Sequence, residues 1–284
     1  MRNPVRPEED VFARDEGLMH EVAVTGRKVG TPSELRAFFA RLAHDEQLFR
    51  EELDRVLGRT GMTEAERLAV EIFGSGKVLG YRDVSRVQKA ELPETDPVVP
   101  FSEDVLRECA AQNAQGANWR LVYVTGRSLR QEREVMGWDR KKQPCFDPEW
   151  TWWLEHAQDP WATQPVEPGY RLFDFTKRFS SLCWQDQTGE VAKLGTNFER
   201  AEEQAVTEVC FSNFLLSPNN ERLMSNWYHW GRLRSAIGHH VYVGHFDQYG
   251  FTAAGTALRT AALASSWLGS SEPCFLEVLS LSIL

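Results

Sequence analysis

The chain has no Cys-x-x-Cys pair, no long apolar run and no surplus of positive charge, and each absence removes a class of function. Its five cysteines, Cys109, Cys145, Cys183, Cys210 and Cys274, are an odd, scattered set. That pattern reads as reduced thiols rather than a disulfide framework, and it argues against structural zinc. No run approaches the roughly 18 apolar residues needed to cross a bilayer, so membrane insertion is not expected. The N-terminus is polar and acidic and lacks the apolar centre of a secretory signal, so the expected location is the cytoplasm. A net charge of −9 and a sequence pI of about 5.4 argue against nucleic-acid binding through a broad basic face.

Signatures of catalysis are equally scarce. There is no Gly-x-Ser-x-Gly elbow and no His-Glu-x-x-His helix. Gly74, Ser75, Gly76 and Lys77 hint at a phosphate loop, but Val78 stands where a P-loop has its hydroxyl residue. A glycine pair ending a helix explains them better. On a continuous strand His239, His245 and Asp247 would share one face. His239 and His245 would then lie about 20 Å apart, too far for one metal ion without an intervening turn. Glu202 and Glu203 read as part of a charged helix face. Cys145 or Cys183 with His156 would make a nucleophile and base only if the fold brought them together. The sequence therefore assigns no catalytic residue, no metal ligand and no cofactor.

What is present is a globular composition, 42% hydrophobic and 11% aromatic, with ten tryptophans. That is enough to bury a sizeable core. Thr31, Pro32 and Glu34 start a helix whose apolar spacing runs from Leu35 to Leu57 and stops at Gly58. Thr63 and Glu66 start a second, closed by Gly74 and Gly76, and a short third spans Tyr81 to Val87. Residues 1–90 are thus expected to be mainly helical. Glu91 to Pro100 contains three prolines and no periodicity, and reads as a linker. Residues 101–284 follow as a Trp-rich α+β domain. Helices are expected from Ser102 to Cys109, Ser128 to Met136 and Asn197 to Leu216. Strands are expected at Trp119 to Val124, Tyr170 to Phe175, Trp227 to Trp230, His239 to Phe246 and Cys274 to Leu279. The Trp-, Pro- and Asp-rich stretch from Gly137 to Pro168 is too irregular for either and should wrap the domain. Arg127, Arg130, Arg133, Arg140, Lys141 and Lys142 crowd one stretch, read as a solvated helix face balanced by Glu132 and Glu134.

Between Ser235 and Ser271 the composition changes. Only Asp247 and Arg259 are charged there, and Lys, Glu and Met are absent. This window could be an Ala-rich helix over Thr256 to Leu268, a flexible loop, or a surface of small and aromatic contact residues such as paratopes use.

Several stretches resemble a family of bacterial proteins from the candidate phyla radiation: IFGSGKVLG at 72–80, VPFSEDVLREC at 99–109, NWYHWGR at 226–232 and VYVGHFDQYGF at 241–251. That family is in turn similar to the variable target proteins of diversity-generating retroelements, which rewrite adenine-templated codons near the 3′ end of one gene. The resemblance implies a C-type-lectin-like fold carrying exchangeable side chains on a rigid β scaffold. The small, hydroxylated and aromatic residues of 235–271 fit the products of such rewriting; Gln248 and Trp267 depart from it. It implies a non-enzymatic binding protein with a protein or glycan as ligand. Its ligand-binding residues would be His239, His240, His245, Gln248, Tyr249, Thr252 and Thr256, held by Trp227, Trp230, Val241, Val243, Phe246 and Gly250. The competing readings are an enzyme with an unrecognised active site, or a nucleic-acid-associated module using the 127–142 basic run.

Overall fold

The computed structural model describes residues 31–45, 61–149, 157–179, 182–234, 240–256 and 275–281. The chain divides into two compact units, Met1–Gly61 and Met62–Leu284. In the first, α1 spans Pro32–His44 and begins as its sequence dictates. Thr31 accepts from the Glu34 amide while the Glu34 side chain takes the Thr31 amide, a reciprocal cap that satisfies two end donors. The helix ends at His44, where Asp45 is extended at φ −129°, so the unbroken run expected to Leu57 is interrupted there; residues 46–57 lie outside the described residues.

The second unit mixes helices and strands, as the α+β reading requires. Its helices are α2 (Glu64–Phe73), α3 (Tyr81–Gln88), α4 (Glu103–Ala114), α5 (Leu129–Met136), α6 (Pro160–Thr163), α7 (Trp184–Lys193) and α8 (Glu203–Leu216). Its strands are β1 (Val78–Leu79), β2 (Trp119–Val124), β3 (Gly169–Arg178), β4 (Phe198–Arg200), β5 (Tyr228–Arg234), β6 (His240–Gly244), β7 (Thr252–Thr256) and β8 (Phe275–Leu281). Residues 91–100, expected as a linker, lie inside this unit. Ala69 and Val70 of α2 and Val84 of α3 share one buried cluster with Leu121 of β2 and Phe211 of α8. Helices α2 and α3 therefore complete this core.

Thr63 caps α2 as Thr31 caps α1, and Ser128 with Gln131 repeats the box at α5. Gly74 ends α2 at φ +84°, so the glycine pair is a helix stop. Strand β2 is buried on both faces, which explains why five of its six residues are apolar. Its one charged member, Arg120, donates to Asn213 Oδ1 at 2.6 Å and to the Gly76 carbonyl at 3.1 Å, and pairs with Glu221 at 3.0 Å. Helix α8 is buried from Glu203 to Phe214, the expected position of a helix without a solvent face. The helix expected from Asn197 starts late because Phe198–Arg200 instead pairs with β8.

Strand order along the sheet is β1-β2-β3-β8-β5-β6-β7, with β4 also on β8. Strand β8 holds the two halves together. Its later residues pair antiparallel with β3 and β4, through Leu172↔Leu281 and Phe198↔Leu281. Its first residues pair parallel with β5, through Tyr228↔Phe275 and His229↔Leu276.

Candidate functional site

Strands β6 and β7 are antiparallel, paired from His240↔Thr256 to Gly244↔Thr252, and the connection 245–251 carries the exposed residues of this hairpin. The strand stops at Gly244, φ +136°, and His245 follows at φ +46°. The two-residue alternation therefore ends before His245, so His245 and Asp247 do not continue a strand face. Instead His245 stacks on Tyr228 with centroids 5.3 Å apart, and its Nε2 lies 3.5 Å from Asp247 Oδ2.

Backbone bonds fix this connection on two sides. The His245 and Phe246 amides donate to the Trp227 and Met224 carbonyls at 2.8 and 3.0 Å. The Phe251 amide donates to the Cys145 carbonyl at 2.9 Å, and the Asp147 amide returns to the Phe251 carbonyl at 3.0 Å. Beneath, Phe246 and Phe251 are buried against Phe211, with Phe146 and Phe214 completing the aromatic cluster. Part of the irregular 137–168 stretch thus braces the hairpin.

Side chains complete the brace. The Arg140 guanidinium lies 5.0 Å from the Tyr249 ring centroid and pairs with Asp147 at 3.0 Å and Glu149 at 2.9 Å. Those carboxylates, Glu149 first, hold Arg140 above its ordinary pKa. Gln143 Nε2 donates to the Gln248 carbonyl at 3.2 Å, and Asp247 Oδ1 accepts from the Tyr249 amide at 2.7 Å. Tyr249 remains 48% exposed, Gln248 is exposed and His245 is partly so. Nearby in sequence, Trp138 is exposed under the Arg133 guanidinium at 5.0 Å.

The structure gathers His245, Gln248 and Tyr249 on one braced loop and separates others from it. His240 is 1% exposed and stacks on Trp184 at 4.3 Å. It is therefore a packing residue, not a surface contact. Thr252 is also buried, beside Tyr228. Burial, then the charges of Asp247 and Asp147, push the Tyr228 phenol up to about 12. His239 and the Thr256 side chain lie outside the described residues, as does the segment 257–274 offered as an Ala-rich helix. Of the proposed framework, Trp227, Val241, Val243 and Phe246 are buried and Trp230 is partly exposed.

The basic run is largely engaged locally. Arg130 pairs with Glu134 at 3.3 Å and Arg140 is held as above, but Glu132 is 1% exposed and belongs to the interior rather than to the solvated face. Glu203 is likewise buried, accepting the Arg232 amide at 2.8 Å, so it is no part of a charged helix face. Cys145 is buried and its thiol is pushed up chiefly by that burial; His156 lies outside the described residues. Among the described residues no group of three or more His, Cys, Asp or Glu is placed to hold a metal ion. No described helix is long and apolar enough to cross a membrane.

Sequence reasoning missed Arg140 and Asp147 as site residues. Their signal was present as an Arg within a basic run and an Asp within an aromatic stretch, but their partners lie about a hundred residues further on. No protein-family model matches the chain, and no curated protein or solved structure matches it.

Proposed function

We propose that this protein is a non-enzymatic binding module whose ligand, a protein or a glycan, is contacted by His245, Gln248 and Tyr249. The observation that carries this reading is the bracing of 245–251 by 143–147. A loop fixed through its backbone lets exposed side chains change at little cost in stability and binds with little loss of conformational freedom. Tyr, His and Gln supply ring area and hydrogen bonds of the kind paratopes use. The strand–helix–strand order from β3 onward, with β8 returning between β3 and β5, supports a C-type-lectin-like arrangement. The light charge of 235–271 supports diversification by a retroelement.

Gln248→Ala should change stability by no more than about 0.5 kcal/mol, and Tyr249→Ser, which also gives up the Arg140 contact, by no more than about 1 kcal/mol. Differential scanning calorimetry against the parent chain checks this. The functional test is binding of the same variants to arrayed glycans and surface proteins. A ligand whose affinity falls at least tenfold in the variants, at a melting temperature within about 4 °C of the parent's, supports the reading. A ligand bound equally by parent and variants removes the loop from the site. Sequencing codons 235–271 across one natural population tests the diversification: substitutions confined to that window support it, and a uniform window ends it.

A further inference from the structure

Helices α3, α5 and α8 meet around two carboxyl groups that play no part in the loop. Glu132 of α5 and Glu208 of α8 are each 1% exposed. Glu208 Oε1 accepts from the Thr125 amide at 2.6 Å. Its other oxygen and both oxygens of Glu132 make no hydrogen bond of good geometry, the nearest donors being the Gln88 side chain for Glu132 and the Thr125 hydroxyl and Arg127 amide for Glu208. Gln88 of α3, fully buried, donates to Ser212 Oγ at 2.9 Å, but its own Oε1 is unpartnered, as is the Ser85 hydroxyl. Carboxylate and amide oxygens therefore crowd this junction, and the side-chain donors of Ser85, Thr125 and Arg127 are not aligned to meet them. Buried polar atoms without partners are rare enough in native proteins that such a cluster calls for an occupant.

Charge gives the same answer. Arg127 is the cation acting on both carboxyls, and it is itself only partly buried. Two buried carboxylates facing one guanidinium leave a negative charge uncompensated, which a protein interior does not tolerate. Tyr123 of β2 also faces Glu208. Helix α6, packed against α5, carries no titratable residue. The other charged or titratable groups around α8 are engaged elsewhere: Arg120 with Asn213 and Glu221, and His229 with the Ala201 carbonyl. The missing positive charge is supplied most simply by a proton, which also lets one carboxyl oxygen donate to a neighbouring acceptor. A divalent metal would meet the same oxygens but would be opposed by Arg127.

We propose that Glu132 and Glu208 form a buried proton-binding site that fastens α5 to α8 while the pair is protonated and loosens that junction when the proton leaves. Burial, reinforced for Glu132 by the charge on Glu208, raises the two groups from 4.5 to about 8 and about 7. Because the folded values lie above the unfolded one, the stabilisation is complete below about 4.5. It is lost as pH rises through about 7 and 8.

The test is thermal unfolding of the full chain from pH 5 to 9, for the parent, Glu132→Gln and Glu208→Gln, with chelator or with added calcium. The parent should lose roughly 5–10 °C between pH 6 and 9. Each Gln variant should flatten that loss and exceed the parent at pH 9, with chelator and calcium making no difference. Infrared spectra of the parent should show a protonated-carboxyl stretch near neutral pH that titrates away by pH 9. That readout does not depend on a variant folding. A parent-to-variant difference that is independent of pH, or no carboxyl band, overturns the proposal. Stabilisation of the parent by calcium that Glu132→Gln abolishes overturns it in favour of a metal site.

Discussion

Gly250→Ala should lower the melting temperature by roughly 6–12 °C, for a cost of about 3 kcal/mol. Gly250 sits at φ +133°, where an L side chain is strained. An added Cβ would also lie 2.6 Å from the Asp147 nitrogen and 2.8 Å from both Asp147 Cα and the Phe146 carbonyl carbon. All of these are backbone atoms, so none can swing aside. Relief requires moving 145–147 away from the loop, which breaks the bonds between Phe251 and Cys145 and between Asp147 and Phe251. Ligand binding should therefore fall together with stability, unlike the behaviour of the Gln248 and Tyr249 variants. Gly76→Ala is the control: its Cβ would meet nothing within 4 Å, and calorimetry should show a change near zero. Equal effects at the two glycines would mean that the loop is not held by 145–147.

Glu66→Ala should cost about 3–5 kcal/mol, through hydrogen bonds rather than sterics. Glu66 is 1% exposed, and one carboxylate joins three parts of the chain. Its Oε2 accepts from the Thr63 amide at 2.5 Å; its Oε1 accepts from the Tyr81 amide at 3.1 Å and from the Tyr170 hydroxyl. Burial and the adjacent Glu66 raise the Tyr170 pKa, keeping that hydroxyl a donor. Alanine removes the acceptor from all three donors, and each buried donor left unmatched costs about 1–3 kcal/mol. The Tyr81 amide keeps a second acceptor in the Tyr170 oxygen at 2.9 Å, which holds the total below the simple sum. Glu66→Gln retains one acceptor oxygen and should lose less than half as much. Urea unfolding with an unchanged slope checks both.

Local chemistry made much of this fold legible. Thr31, Thr63, Ser102 and Ser128 announced their helices because a cap is a contact between near neighbours. Strand β2 was legible because a strand buried on both faces reads as a nearly continuous apolar run. Strand β7 was not: Ala253, Ala254 and Gly255 at its centre have little strand preference of their own, and pairing with β6 imposes their conformation. Helix α7 was missed for a related reason. It contains Thr188 and Gly189 and is held from outside, by Arg200 donating to the Trp184 carbonyl at 3.3 Å and to Thr188 Oγ1 at 3.0 Å. That omission carried into the site. His240 looked like a surface histidine because the Trp184 ring that covers it belongs to the unread helix. His245, Gln248 and Tyr249 were marked only by the resemblance and by the light charge of their window. The brace from 143–147 could not be found, because nothing local marks a backbone pairing that distant.

The position of β8 sets the order in which the molecule can be finished. Strand β3 is synthesised about a hundred residues before β8, and β5 about forty. Until residue 281 has emerged from the ribosome, the backbone groups that β3 and β5 will offer to β8 have no native partner. Open strand edges invite pairing with other chains, and late long-range closure prolongs that exposure. The nascent chain must therefore carry two incomplete half-sheets until β8 is made. The closing strand, rather than either half, sets how long newly made molecules are vulnerable to aggregation.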